Sequence, residues 1–304
     1  MKCLVTGGAG FIGSHIVDKL ISKKHQVVII DNLSTGKRKN INKKAKFYKA
    51  DLRSKKIDNI FKKEKPEIIF HTAAHINVRY SVTNPVYDAN NNILGGLNLL
   101  ETCKKYGVKK IIYSSTGGAI YGNPEYMPCD EKHPIRPICP YGASKYSFEK
   151  YLFIYKELHG LNYTILRYAN VFGPRQDPKG EAGVISIFLG KLQKNQICTI
   201  NGTGKQTRDF VYVEDVANAN ILAMDKASGQ IINIGVKEET DVNTIYEKLA
   251  KIMNKDLKPK HGPKVPGEVE KIYLDNTLAK KILKWKPEVS FDNGLEKTVK
   301  YFSS

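Results

Sequence analysis

Thr6–His15 reads TGGAGFIGSH, and this stretch decides the fold. It follows the apolar run KCLVT at residues 2–6 and opens the run FIGSHIVDKLISKK at residues 11–24. The first run is typical of a buried strand, and the apolar spacing of the second predicts a helix. The sequence therefore predicts a strand, a glycine-rich turn and a helix in immediate succession.

The glycines of this turn have the spacing of a phosphate-binding loop. Gly8, Gly10 and Gly13 fit GxGxxG, and Gly7, Gly10 and Gly13 also fit GxxGxxG. Glycine is needed where the backbone turns sharply and approaches a pyrophosphate, while a helix N-terminus offers N–H groups and partial positive charge. A tight structural turn without a ligand is the alternative interpretation.

The residue that ends the second strand favours the ligand interpretation. Asp31 closes the run VVIID and lies eighteen residues beyond Gly13. A carboxylate there accepts hydrogen bonds from the adenosine ribose hydroxyls and repels a 2′-phosphate. The sequence therefore predicts a site for NAD rather than NADP.

The rest of the chain extends the same organisation. Short apolar runs alternate with helical stretches, which is typical of a doubly wound α/β fold with a parallel sheet. We expect an NAD-binding Rossmann domain over 1–168 and a smaller C-terminal substrate domain over 169–304, with a strand near 231–235 returning to the sheet. Further helices are predicted near 183–194, 214–227 and 241–254.

Composition limits the other classes of function. The 304 residues are 41% hydrophobic and carry a formal charge of +19, but the lysines are dispersed, so a solvated surface is favoured over a nucleic-acid site. The five cysteines are scattered, odd in number and without a CxxC pair, so we expect reduced thiols and no metal. With no signal peptide and no long apolar run, we expect a cytoplasmic protein without a membrane partner.

A candidate reaction centre follows in the stretch PYGASKY at 140–146. Tyr141 and Lys145 are four residues apart, so on a helix they share one face. A nearby ammonium and a positive nicotinamide ring stabilise a phenolate, and Lys145 is therefore expected to lower the pKa of Tyr141. The preceding strand supplies the hydroxyls of Ser114, Ser115 and Thr116.

The sequence resembles the extended short-chain dehydrogenase/reductase family, and within it the group of UDP-glucose 4-epimerases. The resemblance runs nearly end to end and is carried by TGGAGFIGSH, DNLSTGKR, HTAAH, NNILGGLNLLE, SSTGGAIYG, PYGASK, LRYANVFGPRQDP, GEAGVISIF, GTGKQTRDFVYVEDVA and PGEV.

The resemblance implies roles for individual residues. The implied NAD-binding residues are Gly7, Gly10, Phe11, Ile12, Gly13, Asp31, Asn32, Asp51, Leu52, Ala73, Ala74, Asn92, Ser114, Tyr141 and Lys145. The implied catalytic triad is Thr116, Tyr141 and Lys145. The implied UDP-sugar residues are Thr116, Tyr141, Asn170, Val184, Thr199, Arg208 and Ile272, with Arg208 facing the diphosphate.

One position departs from the family pattern. Relatives commonly place an Arg just before the Pro-Gly-Glu stretch as a second diphosphate ligand, and this chain has Val265 there. Lys264 or Lys260 can substitute as a point charge, or the second ligand is absent.

The expected reaction is inversion of C4 of a UDP-hexose, UDP-glucose/UDP-galactose, through a 4-keto intermediate with bound NAD. Dehydratases of the family resemble one another in carrying Glu, often Asp-Glu, where this chain has Gly117 and Gly118. Alternatives are a UDP-N-acetylhexosamine or UDP-uronic acid substrate, a dehydratase or decarboxylase, and a non-catalytic NAD- or RNA-binding module. Because YSFEKYLFIYKEL is apolar on more than one face, and relatives pair this helix across a two-fold axis, we expect a homodimer.

Overall fold

The computed structural model describes residues 1–178, 183–264 and 269–303, so Val265 lies outside the described residues. The strands are β1 Lys2–Thr6, β2 Gln26–Asp31, β3 Lys46–Lys49, β4 Ile68–His71, β5 Lys110–Thr116, β6 Asn162–Tyr168, β7 Asn170–Phe172, β8 Thr199–Asn201, β9 Thr207–Arg208, β10 Phe210–Tyr212, β11 Gln230–Ile234, β12 Thr240–Asp241, β13 Lys260–Gly262 and β14 Lys271–Ile272.

Helices separate these strands. They are α1 Phe11–Ser22, α2 Lys56–Glu64, α3 Val78–Thr83, α4 Pro85–Ala89, α5 Gly95–Lys105, α6 Gly117–Ile120, α7 Pro140–His159, α8 Val184–Gln193, α9 Val213–Leu222, α10 Val242–Ile252 and α11 Phe291–Ser303. A 3₁₀ turn forms at Arg38–Asn40, and π-helical turns form at Asn90–Leu94 and Ala279–Leu283. None of the described helices is long and apolar enough to cross a membrane.

The central layer is a seven-stranded parallel sheet in the order β11-β6-β5-β4-β1-β2-β3. Its inner strands are buried along most of their length because helices cover both faces, and an apolar cluster lies on each face. The order is that of a dinucleotide-binding fold with one added strand. The predicted fold class is confirmed.

The C-terminal part returns to this sheet through β11, which pairs in parallel with β6 so that Ile231 lies opposite Ile165. The small sheets β10-β7, β12-β9-β14 and β13-β8 lie beside it with a third apolar cluster. The division at residue 168 stays a prediction.

Parallel strands place their carboxyl ends at one edge of the sheet, and ligands of such folds bind there. The loops after β1, β2, β4 and β5 all leave from this edge. They carry Gly7, Gly10, Asn32, Ala73 and Ala74, while Asp31, Ser114 and Thr116 lie at the ends of the strands themselves.

Candidate active site

The glycine-rich turn is closed so tightly that side chains do not fit. A Cβ on Gly13 would lie 2.3 Å from the Gly7 carbonyl oxygen, and one on Gly7 would lie 2.8 Å from the Ala73 nitrogen. Gly7 also has a φ of +71°, in the left-handed region that favours glycine. The helix α1 begins at Phe11 without a side-chain cap from any described residue and without an acidic residue in its first turn. This cradle fits a dinucleotide pyrophosphate.

Asp31 fixes the turn to the end of β2. It is 7% exposed, and its carboxylate accepts hydrogen bonds from the backbone N–H of Ala9 at 3.0 Å and of Leu33 at 2.7 Å. Burial raises the pKa of this carboxyl. Each oxygen retains a second lone pair, so Asp31 can still accept from ribose hydroxyls.

The expected adenine side is organised around Asp51. Its carboxylate accepts hydrogen bonds from Arg53 Nε and Nη2, both at 2.8 Å, and from Asn32 Nδ2 at 3.0 Å. These hydrogen bonds, with Arg53 first, hold the pKa of Asp51 well below its usual range. Leu52 is half-buried, and its carbonyl accepts from Asn98 Nδ2 at 2.5 Å.

Asn92 lies in the π-helical turn between α4 and α5, and the chain already uses its amide. Its Nδ2 donates to the His75 carbonyl at 2.9 Å and to Asp88 Oδ1 at 3.0 Å, and its Oδ1 accepts from the His75 N–H at 2.8 Å. These bonds fix the loop after β4, where Ala73 and Ala74 are half-buried. Such turns are frequent at functional sites.

The helix α7 presents Tyr141 and Lys145. It begins at Pro140, whose missing N–H costs nothing at a first helical position. Lys145 is 3% exposed, its Nζ lies 4.3 Å from the centre of the Tyr113 ring, and burial lowers its pKa to about 7. Burial raises the pKa of Tyr141, and Cys139 and Asp88 add to the rise.

This direction corrects the sequence-based expectation of a lowered phenol pKa. Desolvation disfavours the phenolate, and the neighbouring acidic groups disfavour it further. A Lys145 with a pKa of about 7 also carries only part of its charge at neutral pH.

The hydroxyls at the end of β5 point to different partners. Ser114 Oγ lies 3.0 Å from the Tyr168 hydroxyl, while Ser115 donates to Glu149 Oε1 at 2.6 Å. A Cβ on Gly118 would lie 3.9 Å from Thr116 Oγ1 and 3.5 Å from Asn170 Oδ1. Thr116 and Asn170 therefore face a common space beside Gly118.

Behind Lys145 lies a buried ion pair that the sequence did not reveal. Arg167 Nε and Nη2 donate to the two oxygens of Glu149 at 3.1 and 2.6 Å, and Arg167 Nη1 donates to the Tyr121 hydroxyl at 3.1 Å. Glu149 lies four residues after Lys145, so the helical spacing that pairs Tyr141 with Lys145 also reaches this carboxylate. That spacing is the only signal the sequence offered.

The expected UDP-sugar residues lie on separate small elements. Val184 begins α8, Thr199 is exposed on β8, and Arg208 on β9 donates from Nη1 to the Thr207 carbonyl at 2.7 Å and the Glu270 carbonyl at 3.3 Å.

Two positions near Arg208 bear on the sequence predictions. Ile272 is the register partner of Arg208, but its side chain is 2% exposed inside an apolar cluster. Lys264 pairs with Glu270, whereas Lys260 is exposed on β13. Among the described residues no group of three or more His, Cys, Asp or Glu side chains is arranged to hold a metal ion.

The fold is a Rossmann sheet with a glycine cradle, an acidic residue at the end of β2, and a helix that carries Tyr141 and the buried Lys145. These features define the class of dinucleotide-dependent enzymes. The NAD dependent epimerase/dehydratase family matches residues 3–235. The chain belongs to this family.

Solved structures cover the whole chain. It is similar to the Thermotoga maritima UDP-glucose 4-epimerase with UDP-glucose, at 49% identity, a TM-score of 0.98 and coverage of 100% and 99% of the two chains. It is also similar to the Thermus thermophilus UDP-glucose 4-epimerase complex with NAD, at 43% identity, a TM-score of 0.95 and coverage of 100% and 99% of the two chains. A third similar structure is the Methanobrevibacter ruminantium UDP-N-acetylglucosamine 4-epimerase in complex with UDP-N-acetylmuramic acid. Its identity is 38%, its TM-score is 0.94, and the coverage is 99% and 98% of the two chains.

Proposed function

We propose that this chain is an NAD-dependent epimerase that inverts C4 of a UDP-hexose, UDP-glucose/UDP-galactose, through a 4-keto sugar. The observation that carries the proposal is the placement of Tyr141 and the buried Lys145 one turn apart on α7. This helix packs against β5 and α6, at the sheet edge that also holds the glycine cradle.

In this proposal Tyr141 accepts the proton of the C4 hydroxyl, which Thr116 orients, and later gives the proton back. NAD, when bound, supplies a site for the hydride that leaves C4 and returns to its opposite face. Lys145 stabilises the phenolate, which burial otherwise disfavours. Proton and hydride both return, so the sugar is inverted without net oxidation.

The two glycines after Thr116 support inversion over elimination of water. A Cβ on Gly117 would lie 2.5 Å from Leu274 Cδ1, so a side chain at this position would have to displace Leu274. Gly118 has ordinary contacts only and faces Thr116 and Asn170. Neither Gly117 nor Gly118 therefore supplies the carboxylate that elimination of water from the sugar would require.

The residue roles are part of the proposal. NAD would be held by the glycine cradle with Phe11 and Ile12, by Asp31 and Asn32 at the ribose, by Asp51 and Leu52 at the adenine, and by Ala73, Ala74, Asn92 and Ser114 toward the nicotinamide. The UDP-sugar would be held by Asn170, Val184, Thr199 and Arg208. Ile272, which the resemblance also implies, is buried in an apolar cluster and is left out of this set.

A UDP-sugar with an N-acetylated hexose is the second candidate substrate, because one similar structure is that of a UDP-N-acetylglucosamine 4-epimerase. Purified protein offered plain, N-acetylated and uronic acid UDP-sugars one at a time, with products separated by chromatography, decides between them. The preferred pair is the one with the highest kcat/KM.

The direct test of the reaction is Tyr141→Phe. Loss of the phenolic proton acceptor should lower kcat by about 10²–10⁴-fold while NAD stays bound. The matched control is Tyr146→Phe, a tyrosine of the same helix whose ring contacts Lys150 at 4.7 Å. Full epimerase activity in Tyr141→Phe would refute the mechanism.

We further propose a homodimer formed by neighbouring helices. Large apolar side chains are exposed on α3, α4 and α7, where Val86 is 72%, Leu158 70%, Val82 60% and Phe153 54% exposed. A monomer rarely exposes so many together. Leu158→Glu should give a monomer in sedimentation velocity, whereas Ile197→Glu, on the loop before β8, should leave the dimer intact.

Cellular context is a proposal of the same kind. A cytoplasmic location agrees with the five free thiols, and a role in galactose metabolism follows only if UDP-galactose is the substrate. Fractionation of the source cells with an activity assay tests the location.

A further inference from the structure

A second buried acidic residue, Asp88, lies near the proposed reaction centre and has no role in the mechanism above. It lies on α4, next to the π-helical turn that carries Asn92, and its side chain is 0% exposed. The helix α4 packs against α7, which presents Tyr141 and Lys145.

The partners of Asp88 account for only one of its two oxygens. Oδ1 accepts from Asn92 Nδ2 at 3.0 Å and lies 3.2 Å from His75 Nδ1. Oδ2 is buried and has no hydrogen-bond partner within the described part of the chain. An acceptor in this condition costs free energy, so its retention calls for an explanation.

Glu149 is the matching case on the other side of Lys145. Both of its oxygens are bonded to Arg167, and Ser115 donates to one of them. Its negative charge is thus largely balanced by a guanidinium. Asp88 has no Lys or Arg partner among the described residues, so its field acts on the helix that faces it.

Titratable groups face Asp88 from three sides. They are His75 from the loop after β4, Tyr113 from β5, Cys139 immediately before α7, and Tyr141 and Lys145 on α7. Lys145 is the cationic group of α7 in this set.

We propose that Asp88 is a positioning residue of the reaction: its carboxylate keeps Lys145 protonated, and its hydrogen bonds hold Asn92 and His75 against the reaction centre. The role in turnover rests on the proposed epimerase function. The effect on Lys145 does not, because it is a property of the folded protein. Burial lowers the pKa of Lys145; the charge of Glu149 opposes that effect most, and the charge of Asp88 opposes it next.

The test removes the negative charge of the Asp88 side chain but keeps its shape. In Asp88→Asn, labelled with lysine carrying ¹³C at Cε, the Lys145 resonance should titrate about 1 pH unit lower than in the wild type. Lys145→Met assigns the resonance. The control is Asp58→Asn, which removes an exposed carboxylate paired with Lys105. An unchanged Lys145 titration in Asp88→Asn overturns the proposal.

Activity gives the second measurement. The alkaline limb of kcat/KM, where Lys145 loses its proton, should move to lower pH in Asp88→Asn; a uniform loss of activity at every pH would indicate a structural role and contradict the proposal. If the wild type epimerises none of the UDP-sugars, the proposed function fails while the lysine titration still decides the role of Asp88.

Asp88→Glu covers the case in which the Asn variant does not fold. It keeps the charge one methylene further out, so the Lys145 titration should stay near the wild-type position. If the Lys145 titration in Asp88→Glu moved as far down as is expected for Asp88→Asn, the effect would not be one of charge.

Discussion

The nucleotide end and the sugar end of the proposed site are built in different ways. At the nucleotide end the side chains follow β1, β2 and β4, which are neighbours in one sheet. Hydrogen bonds join these strands and their loops: the Ala9 backbone N–H donates to Asp31, and the side-chain atoms Thr6 Oγ1 and His71 Nδ1 lie 2.8 Å apart. At the sugar end the residues come from β7, α8, β8 and β9, which belong to separate small elements.

This difference separates stability from affinity. A residue of the central sheet is tied into the core, so its replacement should lower the free energy of unfolding or NAD affinity. Arg208 lies half-buried on a two-residue strand of a separate small sheet, so its replacement should change the KM for the UDP-sugar with little effect on the fold. Four substitutions test the contrast.

Arg167→Met should have the largest effect. It leaves Glu149 buried without its cation, which costs about 3–5 kcal/mol of unfolding free energy. Urea unfolding measures the loss. Arg136→Met removes an ion pair whose side chains are 74% and 44% exposed, and should change stability within the error of the measurement. Equal losses in both variants would contradict the contrast between buried and exposed pairs.

Asp31→Asn should weaken NAD binding by about 10–100-fold, since hydrogen bonds to a charged acceptor contribute about 1.5–3 kcal/mol each. Titration calorimetry of nucleotide-free protein measures the affinity. Asp292→Asn, which removes a 62% exposed partner of Lys248, should bind NAD like the wild type. Unchanged NAD affinity in Asp31→Asn would remove this residue from the ribose site.

Arg208→Lys should raise the KM for the UDP-sugar by about 10-fold, because an ammonium cannot reproduce the two-pronged contact of a guanidinium with phosphate oxygens. NAD affinity and the midpoint of urea unfolding should not move. Arg136→Lys is the matched exchange on the surface. A parallel loss of NAD affinity would show that the two ends are not separable.

The smallest of the four measured differences should be the change in the pH dependence of stability in His71→Gln, which is separate from the pH-independent cost of replacing a buried ring. Burial lowers the pKa of His71 from 6.5 to about 3. The unfolded chain therefore binds a proton as the pH falls below 6.5, whereas the folded protein does not until about pH 3, and stability is lost through that window. Between pH 7 and 6 the free energy of unfolding should fall further in the wild type than in the variant, and the difference should be less than about 1 kcal/mol. His159→Gln should behave like the wild type.

Local motifs explain what the sequence could predict. The glycine turn lies within one strand-turn-helix segment, Asp31 ends the next strand, and Tyr141 and Lys145 lie within one helix. These elements form as predicted because they depend mainly on neighbours in the chain, whereas the roles of the residues stay predictions.

The sequence could not predict contacts between segments that are distant in the chain. Arg167 meets Glu149 only because β6 lies beneath α7, and Asp88 comes close to that helix only because α4 packs on it. The raised pKa of Tyr141 has the same origin, since spacing along a helix gives no measure of desolvation.

The place of β11 has a consequence for biosynthesis. As the polypeptide leaves the ribosome, β6 is made long before its edge partner, so its outer backbone groups stay uncovered while about 60 further residues are synthesised. A nascent chain halted near residue 168 would present an open, apolar strand edge to other chains. Chaperone contact during translation should therefore concentrate in the interval before Gln230 emerges.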